Sequence, residues 1–231
     1  MKKQIYTSAI IAAAGNGTRM KSKISKQFIK LDHVAVLART LFVFEKSSEI
    51  DEIIIATRST DIGAVEKLVE EFDIKKVKAV VCGGNTRQAT IYRALAAVSG
   101  GLVLIHDGAR PFVTVEQIDE VASELYENDA AALGIPVTDT LKLIKDNYIT
   151  DTVDRSSLVS IQTPQGFKTE IIRRAHEEAI KNGLSVTDDC ALCEKIGVKI
   201  KVVTGSAANI KITTSDDLII AESLLKKKKE G

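Results

Sequence analysis

The sequence has no tryptophan, and aromatic residues make up only 4% of its 231 residues. Proteins that bind single-stranded nucleic acid stack the bases on aromatic side chains, so this composition argues against that class. Long apolar runs are also missing, since none approaches the roughly 18 residues of a membrane-spanning helix. The start at Met1-Lys2-Lys3 lacks the apolar core and the cleavage site of a signal peptide. We therefore expect a cytoplasmic protein that binds neither nucleic acid nor membranes.

The chain carries little net charge and few cysteines. Its 32 Lys and Arg residues balance 31 Asp and Glu residues, which leaves a formal charge of +1. Without an overall field, any site for an anion has to be built locally. The three cysteines, Cys82, Cys190 and Cys193, are too few and too sparse for a disulfide framework. No second pair or histidine cluster completes a zinc site around Cys190 and Cys193, so we interpret them as neighbours on one helix.

Apolar runs alternate with stretches of helical spacing. Four short runs predict strands that are buried on both faces, at residues 9–13, 53–56, 77–81 and 102–105. Apolar residues at helical spacing predict helices at 36–44, 65–72, 88–98, 115–125 and 169–183. The resulting β-α-β-α order predicts an α/β fold, with a parallel sheet and helices on both of its faces.

Residues 137–163 break this alternation, because no helical face can be drawn through them. Two short apolar segments flank the turn signal Asp146-Asn147, which predicts a projecting β-hairpin. A hairpin is marginally stable by itself, so we expect its apolar residues to pack against something, and a second copy of the chain is one candidate. We predict a single domain over residues 1–231 with an arm at about 137–163.

A glycine-containing loop follows the first predicted strand. Gly15 and Gly17 allow the backbone to turn tightly and to point its N–H groups at a phosphate. A dinucleotide-binding fingerprint would need a third glycine where Met20 stands, and a P-loop would need Gly-Lys-Ser/Thr, so both common versions are disfavoured. Arg19 and Lys26 follow instead, and two cations beside N–H donors suit a triphosphate. From the glycine pair alone, a plain strand-to-helix turn with two exposed cations stays open.

A second glycine pair, Gly83-Gly84, follows the third predicted strand, and the fourth ends in His106-Asp107. Ligands of doubly wound sheets bind at the carboxyl ends of the strands, so both loops could contact one ligand. There Asp107 could hold a metal or a hydroxyl group and Arg110 a phosphate, although a surface ion pair is the simpler alternative. We interpret His106 as a packed histidine without a catalytic role.

Further short motifs complete an ordered series. The series reads Ala13-Ala-Gly-Asn-Gly-Thr-Arg-Met20, Lys26-Gln27, Gly83-Gly-x-x-Arg87, His106-Asp-Gly-Ala-Arg-Pro111, Pro136-Val-x-Asp-Thr140, Val153-Asp-Arg155, Thr163-Pro-Gln165, Thr187-Asp-Asp189 and Asn209-Ile-Lys-Ile-Thr213. In this order the motifs resemble the 2-C-methyl-D-erythritol 4-phosphate cytidylyltransferases over roughly residues 8–222. Ribitol-5-phosphate cytidylyltransferases share several of these motifs, and segments 106–111 and 152–155 favour the first family.

The resemblance implies a reaction of non-mevalonate isoprenoid biosynthesis, in which CTP and methylerythritol phosphate give the CDP-linked alcohol and pyrophosphate, with Mg²⁺ as cofactor. The substrate phosphate attacks the α-phosphorus of CTP directly, so catalysis consists of positioning and charge stabilisation. The implied fold is a Rossmann-like, doubly wound α/β domain whose hairpin arm clasps its twin in a homodimer. A nucleotide-binding module without turnover is the alternative from another class.

The resemblance also implies roles for individual residues. Arg19 and Lys26 match the cations that stabilise the transition state, whereas Arg155 and Lys211 match the pair that orients the attacking phosphate. The positions around CTP are Ala13, Ala14, Gly15, Gly17, Gly83, Gly84, Asn85 and Thr90. The pocket for the polyol phosphate comprises Asp107, Arg110, Thr140 and Thr163. Metal ligands are not identified, and Arg155 or its neighbours could complete the partner's site.

Overall fold

A computed structural model describes residues 5–15 and 26–230, the side chains of residues 26 and 228–230 excepted. The strands are β1 (Thr7–Ala12), β2 (Lys30–Leu31), β3 (Val34–Ala35), β4 (Glu52–Thr57), β5 (Val77–Cys82), β6 (Leu102–Asp107), β7 (Ala130–Pro136), β8 (Lys142–Lys145), β9 (Tyr148–Thr152), β10 (Val159–Lys168) and β11 (Lys201–Thr204). The helices are α1 (Val36–Lys46), α2 (Ile62–Glu71), α3 (Arg87–Leu95), α4 (Val115–Glu124), α5 (Thr169–Lys181), α6 (Asp189–Lys195) and α7 (Ser215–Glu230). Across this part of the chain, no helix combines the length and the apolar character needed to cross a bilayer.

The central sheet has seven strands in the order β11-β7-β10-β6-β1-β4-β5. The strands β6, β1, β4 and β5 pair in parallel, as do β7 and β11. β10 runs antiparallel to both of its neighbours, β6 and β7. The mostly parallel α/β sheet is therefore confirmed, and the four predicted strands are β1, β4, β5 and β6.

Side chains of the central strands alternate between two apolar cores. Ile11 packs into the core beneath α1, which also holds Leu41, whereas its neighbour Ile10 packs with Ile91 of α3 on the other face. Successive strand residues point to opposite faces, so a strand covered by helices on both sides is apolar throughout. This confirms the prediction of helices on both faces.

Two helices differ from expectation at their ends. Residues 96–98 continue α3 only through bonds to carbonyls three residues back, as in Val98 N–H to the Leu95 carbonyl, so the regular helix ends at Leu95 and not at Val98. Helix α5 begins at Thr169, whose hydroxyl donates to the Gly100 carbonyl, and it ends at Lys181. Gly183, which was expected to close the helix, follows two residues later with a φ of +61°.

Cys190 and Cys193 lie buried on α6, where burial raises the pKa of both thiols, that of Cys193 to about 12. Their packing interpretation is confirmed.

The predicted hairpin is present. β8 and β9 pair antiparallel, and the two turn residues Asp146 and Asn147 have φ of +50° and +66°, as a two-residue turn of this kind requires. The stretch outside the central sheet is shorter than expected, because β10 begins at Val159 and pairs with β7 from there. Residues 159–163 therefore belong to the sheet, and the arm spans about 137–158.

Candidate functional site

A cavity of about 700 Å³ opens at the carboxyl ends of β1, β4, β5 and β6. This is the edge where parallel strands of a doubly wound sheet present their loops to ligands. The predicted residues that line it are Ala13, Ala14, Gly15, Gly83, Gly84, Asn85, Thr90, Asp107 and Lys211. Six further polar side chains line it without having been assigned a role: Gln27, Arg58, Ser59, Thr86, Arg87 and Arg93.

A smaller cavity of about 160 Å³ adjoins the first. It is lined by the predicted residues Arg110 and Thr163 and by the Gln165 and Thr187-Asp188 segments. Three side chains line both cavities, namely Arg87, Asp107 and Lys211. Most of the residues assigned to the nucleotide, and Asp107, Arg110 and Thr163 of those assigned to the polyol phosphate, thus lie around adjoining spaces with a shared wall.

The second glycine loop is packed too closely against the first loop and against α3 to hold side chains at Gly83 and Gly84. A Cβ atom on Gly83 would lie 2.8 Å from Cβ of Ala14, and one on Gly84 would lie 2.5 Å from Cβ of Ala89. The Thr90 hydroxyl fixes the second loop, since it accepts from the Gly84 N–H at 3.0 Å and lies 2.8 Å from the Thr86 carbonyl. These contacts place the N-terminus of α3 at the cavity, where its unpaired N–H groups favour an anion.

Asp107 lies at the junction of the two cavities among three cations. Its carboxylate is 2.8 Å from Lys211 Nζ, 3.4 Å from Arg87 Nε and 3.6 Å from Arg110 Nε. Burial alone would raise the pKa of Asp107, but Lys211 and Arg87 lower it further than burial raises it. The carboxylate is therefore ionised, and it organises the three cations around one point.

Arg87 is the main residue of the site to which the sequence assigned no role. Its Nη1 donates to Asp189 Oδ2 at 2.6 Å, and Asp189 is only 1% exposed. Burial alone would lower the pKa of Arg87, but Asp189 and Asp107 raise it. Arg87 and Asp189 both belong to motifs of the ordered series, 83–87 and 187–189. This was the signal in the sequence that could have identified them as site residues. Asp188 also lines the smaller cavity, so three carboxylates stand near the three cations, and the guanidinium and ammonium donors at the junction suit phosphate.

Lys211 reaches Asp107 because its segment is bound to the ends of β6 and β10. The Ile212 N–H donates to the Ala109 carbonyl at 2.9 Å, and the Asn209 amide donates to the Thr163 carbonyl at 2.9 Å. Arg110 Nη1 donates to the Asn209 carbonyl at 2.7 Å. These hydrogen bonds hold the segment with the Asn-Ile-Lys motif in place, and this positions Lys211 at the cavity wall.

His106 is completely buried, which confirms its interpretation as a packed histidine. Burial lowers its pKa to about 4, so the ring is neutral at pH 7. Its Nε2 lies 3.1 Å from the Arg110 carbonyl, which can only accept, so Nε2 carries the proton. Nδ1 then accepts from the Thr163 hydroxyl at 3.0 Å, and that hydroxyl accepts from the Asp107 N–H at 3.1 Å. This chain of hydrogen bonds fixes the backbone of Asp107 and Arg110.

Some predicted residues lie away from the cavities. Within the described part of the chain, Thr140 and Arg155 line neither cavity; both are exposed beside the hairpin, where Arg155 Nη1 donates to the Thr138 carbonyl. Gly17 and Arg19 lie outside the described residues, as does the side chain of Lys26. Of the four predicted catalytic cations, Lys211 is the one that the described residues place at the cavity.

The chain matches the family model described as IspD, 2-C-methyl-D-erythritol 4-phosphate cytidylyltransferase, over residues 7–227. It is 43% identical to the protein of that name from Geobacillus thermodenitrificans over 218 residues, which cover 94% of this chain and 96% of the relative. It is 40% identical to the one from Shouchella clausii over 222 residues, covering 96% and 97% of the two chains.

Solved structures agree with the sequence comparison. The fold superposes on the 4-diphosphocytidyl-2C-methyl-D-erythritol synthase of Anaerococcus prevotii with a TM-score of 0.87 and 36% identity, over 96% of this chain and 97% of the other. The 2-C-methyl-D-erythritol 4-phosphate cytidylyltransferase of Thermus thermophilus gives a TM-score of 0.78 and 32% identity, over 94% and 98%.

Proposed function

Because the chain belongs to the 2-C-methyl-D-erythritol 4-phosphate cytidylyltransferase family, we propose that its two adjoining cavities are where CTP and the polyol phosphate meet. The chain is a cytidylyltransferase that transfers CMP from CTP to 2-C-methyl-D-erythritol 4-phosphate, with release of pyrophosphate, in isoprenoid biosynthesis. We place CTP in the larger cavity, between the two glycine loops, and the acceptor phosphate in the smaller one, beside Arg110 and Lys211.

The observation that carries this assignment is the set of side chains shared by the two cavities. Arg87, Asp107 and Lys211 lie where the phosphate of one substrate would face the triphosphate of the other. Negative charge accumulates at that point as the acceptor phosphate attacks the α-phosphorus and pyrophosphate leaves. Positive groups held in place before the reaction stabilise this charge without having to reorganise. No covalent intermediate on the protein is needed.

Mg²⁺ belongs to the proposal as a cofactor carried by the triphosphate. The described residues contain no cluster of three or more His, Cys, Asp or Glu side chains that could hold a metal ion. Asp107 is the carboxylate at the larger cavity, and its oxygens already face Lys211, Arg87 and Arg110. This donor set fits an ion held mainly by substrate phosphates and water, which is the usual mode for Mg²⁺. Bound there, it would neutralise phosphate charge.

A homodimer and a cytoplasmic location complete the proposal. The hairpin exposes large apolar side chains, with Ile144 70% and Tyr148 77% exposed, and a second copy of the chain would cover them. Arg155 and Thr140 stand beside this hairpin, so any contact that they make with a substrate would be with that of the twin. The three cysteines are free thiols, as in reducing compartments.

The test is pyrophosphate release in the presence of Mg²⁺, with CTP, UTP, ATP and GTP each combined with methylerythritol phosphate and with ribitol 5-phosphate. We expect release with CTP and methylerythritol phosphate. Release with ribitol 5-phosphate instead would contradict the assignment of methylerythritol phosphate as the acceptor. Release with another nucleotide would contradict the assignment of CTP as the donor. No release in any combination, with CTP still bound in calorimetry, would favour a nucleotide-binding module.

A further inference from the structure

One wall of the larger cavity is held together by a single carboxylate oxygen. Asp61 Oδ2 accepts hydrogen bonds from Gln27 Nε2 at 2.9 Å, from Arg58 Nε at 2.9 Å and from Arg58 Nη2 at 2.7 Å. Gln27 and Arg58 both line the cavity, whereas Asp61 stands behind them. Asp61 is 8% exposed and Gln27 2% exposed, so the bond between them is shielded from bulk water, whereas the Arg58 side chain is 33% exposed.

The three residues join two segments that are distant in sequence. Arg58 and Asp61 belong to the connection between β4 and α2, which contains a 3-10 helix over Ser59–Asp61. Gln27 is the middle residue of another 3-10 helix, Lys26–Phe28, which follows the first glycine loop. Hydrogen bonds that involve a charged group are about twice as strong as neutral ones, and they hold their partners in a defined orientation. Asp61 therefore ties the segment of Lys26 to the connection that follows β4, while the Val36 N–H, which donates to the Ile29 carbonyl at 2.9 Å, ties its other end to α1.

We propose that Asp61 is a positioning residue for cytidyl transfer: through Gln27 it fixes the segment that carries Lys26, and it also turns the Arg58 guanidinium toward the phosphate side of the nucleotide cavity. The inference rests on the proposed function, because Lys26 is one of the two cations, with Arg19, that the family resemblance assigns to the transition state of cytidyl transfer. Asp61 itself need not touch the substrate. Its contribution is the placement of Arg58 at the cavity wall and of the backbone segment to which Lys26 belongs, and a misplacement of about 1 Å at such a site can cost about 10²-fold in rate.

The first variant is Asp61→Asn, which removes the charge and keeps the size. We expect kcat for pyrophosphate release to fall about 10-fold or more, with the KM for the polyol phosphate changed by less than about 2-fold, because the acceptor cavity is untouched. The matched control is Asp73→Asn, the same chemical change at an exposed carboxylate that pairs with Lys75 on the surface. An Asp61→Asn enzyme with the kcat of the wild type would overturn the proposal.

A double-mutant cycle separates positioning from a merely structural role. In a Lys26→Ala background one of the two cations that Asp61 positions is gone while Arg58 remains, so adding Asp61→Asn should lower kcat by a factor at least about 3-fold smaller than it does in the wild-type background. If Asp61→Asn lowers kcat by the same factor in both backgrounds, Asp61 does not act through Lys26 and the proposal is wrong.

Hydrogen–deuterium exchange gives a readout that does not depend on turnover. In Asp61→Asn the backbone amides of residues 26–31 should exchange at least about 10-fold faster, whereas those of β4 and α2 keep their rates. Gln27→Leu, which leaves the Arg58–Asp61 pair intact, should show the same pattern and covers the case in which Asp61→Asn does not fold. Unchanged exchange at 26–31 in both variants would refute the link. A wild-type enzyme without pyrophosphate release would refute the proposed function and leave this exchange test in force.

Discussion

The cavity end of the central sheet and the hairpin β8–β9 distribute their side chains in opposite ways. At the cavity, charged groups such as Asp107 and Asp189 are buried, and each is paired with cations of the same chain. On the hairpin, apolar groups such as Ile144 and Tyr148 are exposed and have nothing to cover them within the described chain. The described chain therefore pairs its buried charges internally, whereas it leaves the apolar side chains of the hairpin uncovered.

The hairpin offers the largest expected effect. In the double variant Ile144→Ser/Tyr148→Ser, a twofold interface loses four buried side chains of about 1.5–3 kcal/mol each, so we expect the dimer Kd to rise by about 10³-fold or more. Sedimentation equilibrium measures it. The control is Ile219→Ser/Ile220→Ser, which alters an exposed apolar pair on α7. If the hairpin variant stays dimeric at the concentrations where the control does, the interface lies elsewhere.

The next effect concerns the cavity. Lys211→Met keeps most of the apolar stem and removes the charge beside Asp107. We expect kcat/KM for methylerythritol phosphate to fall about 10²- to 10³-fold, because the cation acts where phosphate charge develops. Pyrophosphate release measures it, with the exposed Lys75→Met as control. A loss of less than about 3-fold would show that Lys211 does not stabilise the transition state.

A somewhat smaller effect is expected on stability, through His106. Its folded pKa of about 4 lies below the value of 6.5 for an unperturbed histidine, so the unfolded chain binds the proton more readily between these values. The stabilisation is complete above pH 6.5 and is lost as the pH falls toward 4, by about 3 kcal/mol. Urea unfolding of the wild type and of His106→Gln over this pH range isolates the contribution of His106 to the free energy of unfolding, because the other titrating groups are common to both proteins. Parallel curves for the two proteins would contradict it.

The elements at the cavity end of the sheet could be predicted from the sequence where their signal lies within a few neighbouring residues. β1 and β4 were recognisable because both of their faces are apolar, and the second glycine loop because Gly83 and Gly84 stand where a Cβ atom would clash. β10 was missed because the polar residues and the proline of its Gln162-Thr-Pro-Gln165 segment interrupt its apolar residues. Gln162 and Gln165 are satisfied by Ser206 and Asp188, far along the chain, so no local pattern marks them as buried.

The same limit applies to the charges at the site. Arg87 and Asp189 are 102 residues apart and meet only in the folded chain, so nothing in either segment alone shows that they pair. The hairpin was the reverse case. Its turn Asp146-Asn147 and alternating strands are local signals, and its exposure was predicted with them. What lies against its apolar side chains depends on another molecule, which the resemblance implies to be a second copy.

The mixed dimer tests whether the two regions act on one reaction. Arg155→Ala and Lys211→Ala chains are co-expressed with different tags, and the heterodimer is purified. If Arg155 serves the twin's cavity, one of the two sites receives both wild-type residues and the other receives neither, so pyrophosphate release should recover to about half that of the wild-type dimer. If Arg155 serves its own cavity, each site lacks one residue and activity stays as low as in either homodimer. Recovery would show that the exposed arm completes the buried charge cluster of its twin, because no other arrangement restores an intact site from two defective chains.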